Sequence, residues 1–341
     1  MQRRGFLWLS GATLVLLVLA IVALATGNGG VSRAAPGERA LPGLGPRLGD
    51  LAWMRLTRGA TKMDFAQIGK EWVLVEKGNY PAAPGKIRQV LLALADLTLI
   101  EPKTRRTELY PRLDVDDPAN GKATLVSVQD KSGETVAELI VGKRRYDRLG
   151  AGNDGVYVRK PGDDRAWLAR GSLDLGGDPQ SWLDRRILDI PDKRIASVSL
   201  TGADGKTLVI SRTAPDAEFG VQGAPADAKV KSAAVIGEPA TALETLDLDD
   251  VKPAADMPVP DSGVATAAYT TFDGLTVHLR LFERDKTNWV AIDATGNGAA
   301  EAESKKLDDK VLRWTYAIPA FKANMLRTKL ADLIEPPPKG S

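Results

Sequence analysis

Cysteine is absent from the 341 residues, and histidine occurs once, at His278. Without cysteine the chain has no disulfides, no thiolate metal ligands, no cysteine nucleophile and no lipid-anchored cysteine. A single histidine excludes a multi-histidine metal site within one chain. An excess of one charge is also missing, because 46 basic and 44 acidic residues give a net charge of +2, and this balance does not favour nucleic-acid binding. We expect no cofactor, no metal and no nucleic-acid partner.

A long uncharged stretch lies near the N-terminus. Residues 6–26 carry no charge, and a helix of this length extends about 31 Å, close to the thickness of the hydrocarbon core of a bilayer. Arg3 and Arg4 precede it, and no basic residue follows before Arg33. The positive-inside rule then places the N-terminus inside the cell. The sequence predicts a single-pass protein of the cytoplasmic (inner) membrane whose C-terminal bulk is periplasmic or otherwise extracytoplasmic.

A cleaved signal peptide is the alternative interpretation of this stretch. Residues 23–25 (Ala-Leu-Ala) have the small-x-small form that signal peptidase accepts. The apolar run is longer than the usual signal-peptide core of about 7–15 residues, which favours a retained anchor. We therefore interpret residues 1–28 as a membrane anchor and the glycine- and proline-bearing residues 29–49 as a flexible tether.

Hydrophobic patterns predict a first folded unit over residues 50–192. Three short alternating runs between residues 52 and 77 are typical of antiparallel strands. Apolar residues then recur three and four apart, which predicts a helix that begins near Pro84 and packs on the sheet. Two hairpins follow, with turns at 131–133 and 161–164.

The same order of elements restarts at Arg194 and predicts a second unit over residues 193–335. Strands flank a turn at 203–206, a helix is expected over 239–246, and another hairpin turns at 273–274. Because strands, one helix and further strands occur twice, we interpret the chain as two related units.

A spacing and a fold class follow from this repeat. Comparison of Leu125 with Tyr269 places the two units about 144 residues apart. Leucines at helical spacing predict a last helix over 324–334, and a tail follows at 336–341. The predicted fold class is α+β and β-rich: two tandem related units of antiparallel strands, each with one packed helix, preceded by a single N-terminal transmembrane helix.

Several stretches of the chain are similar to one family. They are EWVLVEKGNYPAAPGKIRQVLLALADLTLIEP, YPRLDVDDP, DPQSWLDRRILDIPDKRIASVSL and WTYAIPAFKANMLRTKLADLI. They resemble the bacterial family named domain of unknown function 4340, over about residues 51–334. The resemblance implies a membrane-anchored, outward-facing, β-rich protein, often encoded beside components of an ABC-type transporter of the kind associated with gliding motility or export. It brings no catalytic residue with it. Residues 218–221 depart from the family pattern, which has a tryptophan-containing strand there.

The densest basic run is formed by Lys143, Arg144 and Arg145, with Arg148 after them. Charge attraction would bring such a run to lipid headgroups or to an anionic polymer. Asp147 and other nearby acids weaken the field, and a solvated face is the alternative interpretation. This run is the predicted patch for an anionic partner.

Two glycine-rich motifs resemble nucleotide-binding loops but have the wrong context. Residues 150–155 fit G-x-G-x-x-G, yet a strand follows them where a dinucleotide site requires a helix. The Gly-Lys-Thr at 205–207 lacks the earlier glycine of a phosphate loop, because position 200 is Leu200. A glycine-rich loop and a hairpin turn are the better interpretations.

The remaining chemistry-bearing residues favour structural roles. His278 shares a strand face with Arg280, and no G-x-S-x-G motif suggests a serine partner for it. The aspartates in 114–117 and in 247–250 lack the calcium-loop pattern, so turn and cap roles are expected. Six tryptophans are predicted to lie in the core: Trp53, Trp72, Trp167, Trp182, Trp289 and Trp314.

A function class follows from the anchor, the repeat, the missing catalytic motifs and the family resemblance. We expect a non-enzymatic accessory protein of an ABC-type transport, gliding-like or envelope assembly, acting through contacts with membrane and envelope proteins. The alternative is a binding module for an envelope polymer or a small ligand, held in the groove between the two units. A hydrolase that uses two carboxylates is a third interpretation.

Overall fold

The computed structural model describes residues 35–119, 121–146, 154–225 and 228–335. The predicted membrane segment at 6–26 and the predicted tail lie outside these ranges. None of the helices within them is long and apolar enough to cross a membrane. Antiparallel strands dominate these ranges and helices are few, which confirms the β-rich fold class.

The first sheet is built from the first half of the chain. Its strands are β1 Leu51–Arg58, β2 Thr61–Ile68, β3 Glu71–Leu74, β4 Tyr80–Pro81, β5 Thr98–Pro102, β6 Thr124–Asp130, β7 Thr135–Arg145, β8 Gly155–Arg159 and β9 Ala166–Arg170. They pair antiparallel in the order β4-β3-β2-β1-β6-β7-β8-β9-β5. In β1, Leu51, Met54 and Leu56 are buried, because one face of the strand packs on the core.

The second sheet is built from the second half. Its strands are β11 Ile195–Thr201, β12 Thr207–Ser211, β13 Gly220–Gln222, β15 Asp250–Pro253, β16 Ala265–Thr271, β17 Leu275–Arg284, β18 Thr287–Gly296 and β19 Trp314–Ala317. They pair antiparallel in the order β13-β12-β11-β16-β17-β18-β19-β15. A separate small ribbon pairs β10 Arg186–Leu188 with β14 Leu246–Asp247.

The two sheets share one strand order. Apart from the extra edge strand β4, each strand of the first sheet has a counterpart at the same place in the second. Even an irregularity recurs: the register shifts between Leu51 and Trp53 in β1 and between Ile195 and Ser197 in β11. Because 144 residues separate these two shifts, the spacing inferred from the sequence holds for the first strand of each sheet.

The spacing between the two units is different at β6 and β16, the strands that contain Leu125 and Tyr269. Thr57 pairs with Leu125, and its counterpart Thr201 pairs with Thr266. Leu125 therefore corresponds to Thr266, and the predicted match with Tyr269 is wrong by three residues. The connection between the first helix and this strand differs in length between the halves, which changes the offset.

One helix packs on the first sheet as predicted. Helix α1 spans Pro84–Asp96, with proline in its first turn and its apolar stripe buried. A four-residue helix, α2 Tyr110–Leu113, lies in the long connection between β5 and β6. In the second half the matching cover is α3 Ala233–Gly237, continued by a 3-10 turn over 238–243. The helix predicted over 239–246 therefore begins earlier and ends earlier.

The last helices differ from the sequence prediction. Helix α5 spans Ala320–Met325 and is followed by a 3-10 turn over 330–333, so the helix expected over 324–334 is not continuous. The break lies at Thr328, whose hydroxyl donates to the backbone oxygen of Met325. Helix α4, Glu301–Val311, was not predicted because its residues are mostly polar and only Ser304 and Val311 are buried.

The structure corrects part of the predicted tether at 29–49. Ala40 and Leu44 are among the most buried residues of the chain, at 1% and 0% exposure. Their apolar side chains join the main core despite the surrounding glycine and proline, because burial of apolar surface outweighs the flexibility of the composition. We call residues 35–50 the entry strap.

Backbone hydrogen bonds fix the entry strap to the sheet. The amide of Gly37 donates to the backbone oxygen of Leu99 in the edge strand β5, and the amide of Ala40 donates to that of Leu97, which directly precedes β5. The strap then continues through a 3-10 turn at Gly45–Asp50 into β1 near the middle of the sheet. It therefore crosses from the edge of the first sheet to its centre.

Aromatic rings fill the junction between the two sheets. The ring of Tyr80 in β4 lies edge-on to Trp314 and Tyr316 in β19, at centroid distances of 5.0 and 6.2 Å. Beside them the Lys77 ammonium is 2.5 Å from the Asp250 carboxylate. One cluster of buried side chains runs through both halves. The groove expected between the units is occupied by packed rings at this point, and the domain boundary at 192/193 stays a prediction.

Candidate functional site

A bulge in β7 sets the direction of the predicted basic run. Val141 pairs with Val158 and Arg144 pairs with Val156, so β7 has one extra residue in this interval. A Cβ atom at Gly142 would lie 2.2 Å from the backbone oxygen of Leu113. Glycine is therefore needed where the connection after α2 passes against the strand, and the bulge re-aims the basic side chains that follow it.

Arg144 lies where two cavities meet. Its Nε donates to the backbone oxygen of Leu173 at 3.0 Å, and its Nη2 lies 3.4 Å from the Ser172 hydroxyl. One cavity, of about 310 Å³, and a second, of about 600 Å³, both include Arg144 and Asp174 in their walls. We call this joined space the Arg144 groove.

The smaller cavity of the groove lies at the ends of three neighbouring strands. Its charged side chains are Arg58, Asp114, Lys122, Lys143, Arg144 and Asp174. Pairing of β1 with β6 brings Arg58 to the start of β6, where its Nε donates to the Thr124 hydroxyl at 2.8 Å. Lys122 and Lys143 make no ion pair with any residue that the structure describes.

Helix α1 forms the wall of the larger cavity. Lys86, in its first turn, donates through Nζ to the backbone oxygen of Ser181 at 3.0 Å and lies 4.3 Å from the centroid of the Trp182 ring. Burial lowers the pKa of Lys86, and the nearby carboxylates of Asp174 and Asp178 oppose that shift. The Lys86 side chain is therefore held over a fully buried aromatic ring.

Two residues of the predicted patch are brought together in the groove. Lys143 and Arg144 line it, whereas Arg145 is exposed and is not among its lining residues. Arg148 lies outside the described residues. Arg58 and Lys86 could not be found from local patterns, because pairing of distant strands and packing of α1 bring them to the groove.

A cavity of opposite charge lies in the second half. It has about 630 Å³ and lies against α3, with Arg212 as its one basic side chain and with Asp192, Glu218 and Glu238 as its acidic ones. The Arg212 guanidinium is almost fully buried over the Phe219 ring, 4.4 Å from its centroid. This arginine is already bonded to backbone oxygens of Asp192 and Ile195.

The rejected nucleotide motifs have structural roles. Gly205 has a φ of +76° in the tight turn between β11 and β12, which confirms the predicted hairpin. Of residues 150–155 only Asp154 and Gly155 lie within the described ranges, and Gly155 begins β8. His278 lies in β17 opposite Asp293, with its Nε2 3.5 Å from the Thr295 hydroxyl.

The two aspartate clusters have different structural roles. Asp117 accepts a hydrogen bond from the amide of Ala119, as expected of a turn residue. The second cluster forms ion pairs instead of caps: Asp247 with Arg186 at 2.6 Å and Asp249 with Arg185 at 3.4 Å. Within the described ranges no group of His, Asp or Glu side chains is arranged to hold a metal ion.

Most of the predicted core tryptophans are buried. Trp167, Trp182, Trp289 and Trp314 have exposures of 8% or less. Trp53 and Trp72 are half-buried.

Fold and groove together define a β-rich protein of two antiparallel sheets with a basic groove in its first half. The chain belongs to the family described as Domain of unknown function (DUF4340), whose sequence pattern matches residues 72–263, more than half of its length. The search of curated proteins returns no match. The match confirms the family resemblance inferred from the sequence. Val73 corresponds to Gly220, since their partners Ala66 and Ser211 occupy equivalent positions of β2 and β12. The residue before each is Trp72 in the first half and Phe219 in the second, so a phenylalanine stands where the first half has tryptophan.

Proposed function

We propose that the protein is a non-enzymatic accessory protein, anchored in the cytoplasmic membrane by residues 6–26 with its N-terminus inside. Its folded body would face the periplasm or the outside and would contact membrane or envelope proteins, such as subunits of an ABC-type transporter. The observation that carries this proposal is the uncharged run of 21 residues placed just ahead of a packed body.

The short connection between anchor and body supports a role at the membrane surface. Ten residues, 27–36, separate the uncharged run from Gly37, whose amide donates to the backbone oxygen of Leu99 in the sheet. A chain of this length spans at most about 36 Å. Because the entry strap is packed, an anchored body would stay within that distance of the bilayer and of neighbouring membrane proteins.

The junction of the two sheets supports a scaffold role more than a ligand-closing role. Tyr80, Trp314 and Tyr316 are buried where the halves meet, and packed rings of this kind resist hinge motion. The alternative function, a ligand held between the units, has less support, because the rings occupy this part of the junction.

Purification from cross-linked membranes tests the proposal. The full-length chain is extracted in mild detergent with an affinity tag, and its partners are identified and quantified by mass spectrometry. We expect an integral-membrane transport or envelope component in near-stoichiometric amount. A matched chain that lacks residues 1–28 should lose most of that yield. Recovery of the full-length chain alone would contradict the accessory role.

The orientation is tested separately with reporter fusions. A periplasmic reporter fused after Gly340 is expected to be active, and a cytosolic reporter at the same place is expected to be inactive. The reverse pattern, or a mature chain that begins near Thr26, would contradict the anchored topology.

A further inference from the structure

We propose that the Arg144 groove binds an acidic, extended segment of a partner protein. This inference deepens the proposed accessory function and rests on it, since it assigns the contact surface. The groove runs between helix α1, the bulged end of β7 and the segment that follows β9. Its chemistry defines what the segment must carry: carboxylates spaced among small or apolar side chains.

The charge of the Arg144 groove is the first reason to expect an acidic segment there. Five basic side chains, Arg58, Lys86, Lys122, Lys143 and Arg144, line the groove, against two acidic ones, Asp114 and Asp174. The surplus of three positive charges exceeds the net charge of +2 of the whole chain. A cleft lined by one sign of charge focuses its field and attracts ligands of the opposite sign.

The free donors of the groove are the second reason. Arg144 holds its place through bonds to Leu173 and Ser172. Its Nη1 makes no hydrogen bond within the described residues, and neither does the ammonium of Lys122 or of Lys143. A carboxylate entering from solvent therefore finds one oriented guanidinium and two lysines, and ionised hydrogen bonds of this kind are the strong ones.

The apolar side chains of the groove and its two acidic side chains favour a peptide over a polymer that is charged on every unit. Val90 and Ala93 of α1 line the larger cavity, and Val141, Leu173 and Leu175 line the smaller one, beside the basic residues. Asp114 and Asp174 would repel a chain that carries a negative charge on every unit. A peptide places apolar and acidic side chains in turn, which fits a groove of mixed character.

The acidic cavity of the second half supplies an internal contrast. Its walls carry three acidic side chains and one buried arginine, whose Nε and Nη2 already donate to backbone oxygens. An acidic segment would be repelled there. The groove in the first half is therefore the expected docking place, although both halves have the same strand order.

Binding of a defined peptide tests the assignment. The full-length chain in detergent micelles is titrated against a fluorescein-labelled ten-residue peptide of alternating glutamate and alanine, and anisotropy is recorded at low and at physiological salt. We expect saturable binding that weakens with salt and no binding of the corresponding lysine–alanine peptide. Equal binding of both peptides would overturn the proposal.

Charge reversal locates the site. The double variant K122E/K143E changes two lysines that make no ion pair among the described residues, so the fold should be retained. We expect a loss of about tenfold or more in peptide affinity, the effect of about 1.4 kcal/mol. The matched control K305E/K306E reverses two exposed charges on α4 and should bind as the unaltered chain does. Equal affinity in both variants would overturn the proposal.

Two further measurements separate the alternatives. Inorganic polyphosphate and vesicles rich in an anionic lipid replace the peptide in parallel titrations, and preferential binding of either one would overturn the assignment to a protein segment. Sedimentation of the chain tests self-association, and a dimer lost in K122E/K143E would overturn the assignment to a different protein.

The groove and the accessory role can fail separately. Peptide binding without co-purified membrane proteins would support the groove and contradict the accessory role. Co-purified membrane proteins without peptide binding would contradict the groove alone.

Discussion

The two halves share a strand order and differ in what lies against their outer faces. In the first half, glycine at position 142 lets the connection at 113–115 pass close to β7, and a basic groove opens beside it. In the second half Phe282 packs with Met257 and Trp289 in a small apolar cluster. At this strand position, one backbone plan therefore supports a basic groove in one half and a packed aromatic ring in the other.

Gly142 and Phe282 occupy matching positions. Val141 pairs with the first residue of β6, and Leu281 pairs with the first residue of β16. The residues that follow them, Gly142 and Phe282, therefore correspond. A single position thus carries the smallest side chain in one sheet and one of the largest in the other, which makes it the sharpest place to test the comparison.

The largest effect is expected for Phe282→Ala. The ring is 1% exposed, and loss of a buried phenylalanine costs about 3–5 kcal/mol of unfolding free energy. Guanidinium unfolding followed by circular dichroism measures the loss. Phe272→Ala is the control, because that ring is 42% exposed and its removal should cost much less. Similar losses in the two variants would break the comparison.

The next effect is expected for Gly142→Ala in the first half. The added methyl group would approach backbone oxygens of Leu113 and Asp114 at 2.2 and 2.7 Å, so strand and connection must separate at a cost of about 1–3 kcal/mol. The same substitution should weaken peptide binding in the groove. The unfolding midpoint and the peptide affinity report the two effects.

Gly85→Ala provides the control for that substitution. A Cβ atom at Gly85 meets nothing within 4 Å, and alanine favours the helix by up to about 1 kcal/mol. We expect a neutral or stabilising change. A destabilised Gly85→Ala, or an unaffected Gly142→Ala, would contradict the packing described for β7.

A third effect concerns alkaline pH at the junction of the sheets. Burial raises the pKa of Tyr80 and of Tyr316 above the ordinary value of 10.0. The folded protein then keeps phenol protons that the unfolded chain has lost, so stability falls as pH rises above about 10, by up to about 1.4 kcal/mol per pH unit for each tyrosine. Burial also lowers the pKa of Lys322. The folded and unfolded chains then differ in the protonation of this lysine only at pH values below the pKa of lysine in the unfolded chain.

Phenylalanine variants separate the contributions of the two halves. Tyr80→Phe and Tyr316→Phe should each make the fall in unfolding free energy between about pH 10.5 and 11.5 less steep. Tyr146→Phe changes an exposed tyrosine and should leave that slope unchanged. If neither junction variant alters the slope, the tyrosines are not buried together as described.

The smallest effect is expected for Arg194→Met in the second half. Arg194 bonds the carboxylates of Asp273 and Glu303 at 2.7 and 2.8 Å, but all three side chains are partly exposed, so the expected loss is below about 1 kcal/mol. Hydrogen bonding to Arg194 lowers the pKa of Glu303. That contribution is present above the ordinary carboxylate pKa and is lost as pH falls.

Acid unfolding measures this contribution. The difference between Arg194→Met and the unaltered chain should shrink from pH 7 to about pH 3, and it should also shrink at high salt. The equivalent position in the first half, 144 residues earlier, is Asp50, which forms no ion pair with any described residue. A difference that persists at low pH would contradict the ion-pair account.

Local patterns in the sequence were sufficient for much of the fold. The helix at Pro84 and the turns near Gly133 and Gly205 are set by residues close together in the chain. Glycine and proline in the entry strap are typical of a flexible tether, whereas the buried side chains of Ala40 and Leu44 decide how the strap packs.

Most of the groove could not be predicted in the same way. Lys143 and Arg144 are adjacent and were found as a charge run, but Arg58, Lys86 and Asp174 reach them through strand pairing and helix packing. No periodicity in one sequence encodes which distant strands become neighbours. Helix α4 could not be predicted either, because it is mostly polar and buries only Ser304 and Val311, so it lacks the apolar stripe that indicates α1.

The entry strap has a consequence for the order of assembly. Its backbone partners next to β5 lie almost sixty residues further along the chain, as the bridge between Arg39 and Thr98 shows. The strap is made before those partners exist, so it cannot close until β5 has formed and closing that loop carries an entropic cost. The part of the folded body that is synthesised first is therefore fixed late. A pull on the N-terminal end before the strap binds would leave the β5 edge without these backbone partners.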